Sequence, residues 1–217
     1  MTALRPLVLA LLAIAVTATT AAAQPRSDRQ VWVSADGQAA LAKEVRLGVE
    51  QQLRLADSGA GFDETFTQLS LKLRAAGFVG VGVGYRYIVR SDDERRHRGF
   101  GDIYLEHDLG PVELEYRLRL QATTRQMDTQ TVVRNRLRAG LDLPHRLTPY
   151  LAGEVFEVMA PNRELRELRA YAGLDWQTTK ALGLELFYLR QQELNVNHPE
   201  RNDIVGFGMS YRFYKRK

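Results

Sequence analysis

The stretch Val112-Glu113-Leu114-Glu115-Tyr116-Arg117-Leu118-Arg119-Leu120-Gln121-Ala122 decides the fold. Every second residue is apolar, and each residue between is charged or carries an amide. A helix would scatter these apolar side chains around its circumference, whereas a strand sends alternate side chains to opposite faces. The stretch therefore predicts a strand with one apolar face and one charged face. The same period runs outward in both directions. Val133, Leu137, Ala139 and Leu141 alternate with Arg134, Arg136, Arg138 and Asp142. Val79, Val81, Val83, Tyr85 and Tyr87 alternate with Gly80, Gly82, Gly84 and Arg86, and Val205, Phe207, Met209, Tyr211 and Phe213 alternate with Gly206, Gly208, Ser210 and Arg212.

Ten such segments are expected: 44–55, 63–74, 78–90, 100–109, 111–124, 131–143, 148–159, 167–177, 181–193 and 203–214. Short connections (75–77, 110, 144–147, 178–180) alternate with longer polar ones (56–62, 91–99, 125–130, 160–166, 194–202). That alternation is the pattern of an up-and-down antiparallel β-barrel with one side of tight turns. An even strand number leaves both chain ends on the tight-turn side. Residues 24–43 break this parity, although Gln30 to Val33, with Trp32, is strand-like. They are read as an N-terminal lead-in, periplasmic or inserted in the lumen, preceding a barrel at 44–217, with twelve strands as the alternative.

Alternation by itself fits two barrels. A soluble barrel buries its apolar face; a transmembrane β-barrel turns that face to lipid. Strand lengths near the ~10 residues of a tilted crossing favour the membrane. So does a polar face that mixes charges of both signs with glycine, as a narrow filled lumen requires. Aromatics near the strand ends read as two interfacial girdles. Phe62, Phe66, Tyr87, Phe100, Phe156 and Tyr188 fall to one end, and Phe78, Tyr150, Trp176, Tyr211 and Phe213 to the other. Residues 1–23 have the form of a secretory signal peptide: Arg5, an apolar run from Leu7 to Val16, then Ala21-Ala22-Ala23, with cleavage expected after Ala23. The expected location is the outer membrane of a Gram-negative cell. With no cysteine in 217 residues, disulfide scaffolds, thiol nucleophiles and cysteine-ligated zinc are excluded. The net charge of +4 is of mixed sign along the strands, which gives no case for nucleic acid.

A family resemblance follows from particular segments. Tyr85-Arg86-Tyr87, Tyr116-Arg117-Leu118-Arg119, Arg134-Asn135-Arg136-Leu137-Arg138, Pro149-Tyr150-Leu151 with Glu154, and the closing stretch from Asn202 to Phe213 resemble a family of bacterial outer-membrane proteins catalogued as domain of unknown function 2490. The early Trp32 and Leu47-Gly48-Val49-Glu50 are similar to it as well. The resemblance implies an outer-membrane barrel, porin-like in form. It brings no catalytic residues, and it departs at the C-terminus, where Tyr214-Lys215-Arg216-Lys217 follows Phe213.

The candidate site is a lumen charge cluster: Arg117, Arg119, Arg134, Arg136 and Arg138, with Asp102, Glu113 and Glu115. Pairing the two strands across 125–130 places Arg119 near Arg136 and Arg117 near Arg138. Like charges face to face need compensation, expected from Asp102 and from Glu50, Glu154 or Glu185. Two readings follow: a salt-bridged plug, or a narrow anion-biased channel. Gly80, Gly82 and Gly84 are read as clearance for bulky arginines opposite. A rim enzyme hydrolysing lipid or peptide is the alternative class. It would rest on His97 beside Asp92, Asp93 and Glu94, and on His198 beside Glu200 and Asp203, with both histidines assigned to loops. No metal spacing links His97, His107, His145 and His198, and no cofactor is implied. The expected partners are outer-membrane lipid, the barrel-assembly machinery during biogenesis, and small anions.

Overall fold

A computed structural model describes residues 26–213 except 126–127 and 161–162. The expected signal at 1–23 and the basic tail at 215–217 lie outside the described residues. Eleven strands form one closed barrel among the described residues. They are β1 (Arg26–Ala40), β2 (Val45–Ala56), β3 (Gly61–Ala76), β4 (Val79–Arg90), β5 (Arg95–Leu109), β6 (Val112–Arg125), β7 (Asp128–Leu141), β8 (Leu147–Val158), β9 (Glu164–Trp176), β10 (Leu182–Glu193) and β11 (Glu200–Phe213). Consecutive strands pair antiparallel, and β1 closes the ring by pairing parallel to β11 from Arg26↔Glu200 to Ala39↔Phe213.

The strand number is thus neither ten nor twelve. The stretch read as a lead-in is β1, and an even strand number is not required because the ring closes through a parallel pair. A single parallel seam permits an odd number. β1 has the right pattern for it: Gln30, Trp32, Ser34 and Asp36 turn inward, while Val31, Val33 and Ala35 turn out. It starts at the end of the barrel that carries the β2–β3, β4–β5, β6–β7, β8–β9 and β10–β11 connections, here called the upper end.

The connections at the two ends differ less in length than the sequence reading held. The upper connections shrink to 57–60, 91–94, 126–127, 159–163 and 194–199, and the lower ones are 41–44, 77–78, 110–111, 142–146 and 177–181. Polar runs such as Arg95-Arg96-His97-Arg98-Gly99 continue the strands instead of looping, because both neighbouring strands remain to bond their backbone. One of the two shortest lower turns is Gly110-Pro111, where Gly110 sits at φ +65. A side chain is disfavoured in that left-handed region, and proline presets the next φ.

The two faces are inverted relative to a soluble barrel. Large apolar side chains ring the outer surface, including Val33, Leu69, Val83, Leu120, Leu137, Leu186 and Phe207, each 45–60% exposed. Buried Arg86, Asp102, Arg119, Gln121, Arg134 and Glu154 point into the lumen. Phe62, Phe78, Trp176, Tyr211 and Phe213 do lie on the outside near strand ends, and Tyr188 lies outside at the middle of β10. Phe66, Phe100, Tyr150 and Phe156 do not. They are 2–8% exposed and face the lumen. Their parity assigns them there: Phe66 is in phase with Gln68, Phe100 with Asp102, and Tyr150 and Phe156 with Glu154.

Candidate functional site: the charged lumen

The arginine cluster sits where β5, β6, β7 and β8 adjoin. The β6–β7 register differs from the expected one by two residues: Arg119 lies opposite Arg134, Arg117 opposite Arg136, and Glu115 opposite Arg138. The cause is the reach of the strands: β6 runs to Arg125 and β7 starts at Asp128, so pairing extends further than a 125–130 loop would allow. Compensation comes from adjacent strands. Asp102, opposite Arg119 on β5, accepts from Arg119 Nε and Nη2 at 2.7 and 2.8 Å and from the Tyr104 hydroxyl at 2.8 Å. Glu154 on β8 is 2% exposed. Its Oε1 accepts from Arg134 Nη2 at 2.8 Å and Nε at 3.2 Å and from Arg117 Nη2 at 3.0 Å, and its Oε2 accepts from the Tyr171 hydroxyl at 3.2 Å. Lower down, Arg138 meets Asp175 at 2.5 Å and Glu113 at 4.0 Å. Glu185 instead takes the Tyr150 hydroxyl at 2.5 Å, and Glu50 takes the Gln68 amide at 2.9 Å. Forked, charge-assisted bonds of this kind are the strongest in a protein interior and fix both partners.

The inward aromatic rings hold the arginines from behind. Arg119 lies 3.8 Å over Phe100, Arg86 3.5 Å over Phe66, Arg134 4.4 Å over Phe156, Arg138 4.3 Å over Tyr150 and Arg54 4.0 Å over Trp32. Stacking on a ring face is favourable for a guanidinium and restricts its rotamers. The rings in turn need room. A Cβ at Gly84 would collide with the Phe100 ring, one at Gly206 with Phe187, and one at Gly173 with Tyr150. The glycines clear space for aromatic rings on the neighbouring strand; Phe100 and Tyr150 carry arginines, and Phe187 packs on Tyr171. The expectation that the glycines face arginines directly is corrected accordingly.

Two chambers occupy the lumen. The upper one, about 360 Å³, is lined by nine arginines and five glutamates. The lower one, about 810 Å³, is lined by seven carboxylates and four arginines. Ser34, Glu50, Arg136 and Glu185 line both and mark the boundary. The lumen is therefore polarised along its axis, positive above and negative below. Arg136 stands at the crossing with no carboxylate partner among the described residues; it rests 4.9 Å over Tyr171, and its Nε is buried without a hydrogen bond.

A family model described as a protein of unknown function (DUF2490) matches residues 29–202. The chain belongs to that family. Among curated proteins, none matches it. The matched span runs from β1 into β11, so the DUF2490 region contains the whole arginine cluster and both of its buried carboxylates. The histidines of this DUF2490 chain lie apart from the lumen. His97 is on β5 rather than a loop, faces outward, bonds the Tyr85 hydroxyl at 2.5 Å and packs on Tyr87. Its acidic neighbours turn elsewhere: Glu94 pairs with Arg96 and Arg125. His198 lies exposed in the 194–199 connection, and Asp203 pairs with Arg190 and Tyr188 instead. Among the described residues no group of histidine and carboxylates is arranged to hold a metal ion. Sequence reasoning missed the upper arginines Arg54, Arg86, Arg98 and Arg169, and the aromatic supports. Strand parity on β2, β4 and β9 was the available signal for Arg54, Arg86 and Arg169.

Proposed function

We propose that this protein is an outer-membrane-spanning barrel of structural role, its lumen filled by an ion-paired arginine–carboxylate network and closed to free flow. The observation that carries the reading is the inversion of faces in a closed barrel: large apolar side chains exposed around the outside, and buried Arg119, Arg134, Asp102 and Glu154 within. Water would penalise the outer face, at roughly 25 cal/mol per Å² of apolar area, while lipid would not. A closed ring also leaves no unpaired strand edge in the hydrocarbon. Asp102 and Glu154, with their arginine and tyrosine donors, tie β5 to β9 along the lumen wall and support a rigid, ion-paired interior. The axial charge asymmetry would give any residual leak an anion bias from the upper end.

Two measurements test this. The protein is expected in the detergent-extracted outer-membrane fraction, and recovery in the detergent-free soluble fraction refutes the membrane assignment. Reconstituted in planar bilayers, it is expected to give no stepwise conductance. Regular open-channel steps, reduced by Arg136→Ala, would establish the channel instead.

A further inference from the structure

Besides Arg96 and Arg125 at the rim, which share Glu94, three pairs of arginines lining the upper chamber stand directly opposite one another across neighbouring strands: Arg119 and Arg134, Arg117 and Arg136, and Arg86 and Arg98. Like charges in register destabilise a sheet unless countered. Asp102 and Glu154 counter the first pair, and Glu154 serves one member of the second. The third is different. Arg86, 7% exposed, spends Nε and Nη2 on the neutral Gln68 Oε1 at 3.1 and 2.8 Å, and its nearest carboxylate, Glu50, is 3.9 Å away. Among the described residues Arg98 bonds only the Thr123 hydroxyl, at 2.8 Å. Neither has a carboxylate hydrogen bond among the described residues. Both line the upper chamber, where arginines outnumber carboxylates nine to five.

We propose that Arg86 and Arg98 form a seat for a phosphate-class oxyanion in the upper chamber. A guanidinium has five N–H donors, so the bonds to Gln68 and Thr123 leave several on each residue unspent. Two register-partner arginines of a single sign lining one chamber match a divalent tetrahedral anion, whose several oxygens can accept from both. A planar monoanionic carboxylate neutralises only one of them. Phe66, stacked 3.5 Å from the Arg86 guanidinium, fixes one fork before the ligand arrives. A chamber of about 360 Å³ admits orthophosphate with water, or a small phosphate monoester. The seat stands whether or not the lumen conducts.

The test is calorimetric titration of the full chain, refolded in a zwitterionic detergent at low ionic strength, with inorganic phosphate, glycerol phosphate and acetate. Saturable binding of phosphate is expected, with acetate at least tenfold weaker. Tighter binding of glycerol phosphate assigns the seat to monoesters; tighter binding of the free ion assigns it to orthophosphate. Arg86→Gln/Arg98→Gln is expected to lose at least tenfold in affinity. Arg86→Lys/Arg98→Lys keeps the charge without the fork and is expected to fall between. Thermal unfolding supplies an independent readout. Phosphate is expected to raise the midpoint of the unsubstituted protein and leave that of the glutamine variant unmoved, while that variant alone is at least as stable, having lost two facing charges. No saturable phosphate binding, or unchanged affinity in the glutamine variant, overturns the proposal. The titration involves no current and no membrane partition, so its failure is separable from failure of the barrel reading.

Discussion

Replacing Glu154 by glutamine removes the charge of the lumen's central carboxylate and keeps its shape. Oε1 of Glu154 receives three donors from Arg117 and Arg134, and Oε2 one from Tyr171. The glutamine carbonyl can still accept from the arginines, and its amide can donate to the Tyr171 oxygen, so the geometry survives. The compensation does not. Two guanidiniums with side chains 15% and 9% exposed are left facing Arg119 and Arg136 with no carboxylate of their own. Breaking a buried pair by removing one partner costs about 3–5 kcal/mol. With the hydrogen bonds partly kept, Glu154→Gln is expected at about 3 kcal/mol and Glu154→Ala at about 5. Urea unfolding in lipid vesicles, followed by Trp32 fluorescence, measures it, because Trp32 is 5% exposed when folded. With a slope of about 2 kcal/mol/M, the glutamine variant's midpoint falls by about 1.5 M. Adding Arg134→Gln to it should restore at least half of the loss, since residues of one network couple strongly. A midpoint drop under about 0.5 M, or a double variant no better than the single, refutes the claim that Glu154 compensates this cluster.

Other substitutions follow from the same packing. Asp102→Asn should cost about 3 kcal/mol by unpairing buried Arg119, read from the same urea curves. Gly206→Ala should destabilise by about 1–3 kcal/mol, because its Cβ meets the Phe187 ring, and adding Phe187→Leu should recover most of that loss. The parallel seam can be trapped directly, because the chain has no cysteine of its own. Val33 and Phe207 are register partners on β1 and β11, so Val33→Cys/Phe207→Cys should form a disulfide on mild oxidation, seen as a mobility shift in denaturing gels that reductant reverses. Val33→Cys/Val205→Cys, out of register by two, should cross-link far less; equal yields would contradict the register.

Much of the barrel was legible because period two is a direct imprint of strand geometry. β6 and β7 could be read from Val112–Ala122 and Val133–Leu141 with faces assigned correctly. The inner positions of Arg117, Arg119, Arg134, Arg136 and Arg138 followed from phase alone. Three things were hidden. Arg98 lies in a polar run without apolar alternation, so nothing local marked 95–99 as strand; the backbone bonds to β4 and β6 extend it. The two-residue shift of the β6–β7 register depended on β6 reaching Arg125 and β7 starting at Asp128, an extent that the polar residues there do not announce. Phe66, Phe100, Tyr150 and Phe156 were assigned outward by residue type, although their own phase with Gln68, Asp102 and Glu154 pointed inward. Hydrophobicity misled there because the lumen uses aromatic faces to carry guanidiniums.

The strand count was the deepest miss, and its cause lies in the lumen. β2 and β11 run in opposite directions, so they had the geometry to close a ten-stranded ring without β1. A barrel's bore widens with each strand added. Here the bore must hold nine upper arginines and the rings beneath them. β1 supplies one more strand of circumference. It also brings Trp32, which stacks on Arg54 at 4.0 Å and joins Phe187, Leu189 and Ile204 in a buried apolar cluster beside β10 and β11. Direct β2–β11 closure would take the Trp32 ring from Arg54, leaving it Glu64 at 3.0 Å and Gln52 at 2.8 Å, and would expose that cluster to the chamber. The cost is one parallel ladder, slightly weaker per residue than an antiparallel one, spread over fourteen register pairs from Arg26 to Ala39. The eleventh strand is thus favoured by what the lumen contains, a property no local alternation of β1 could reveal.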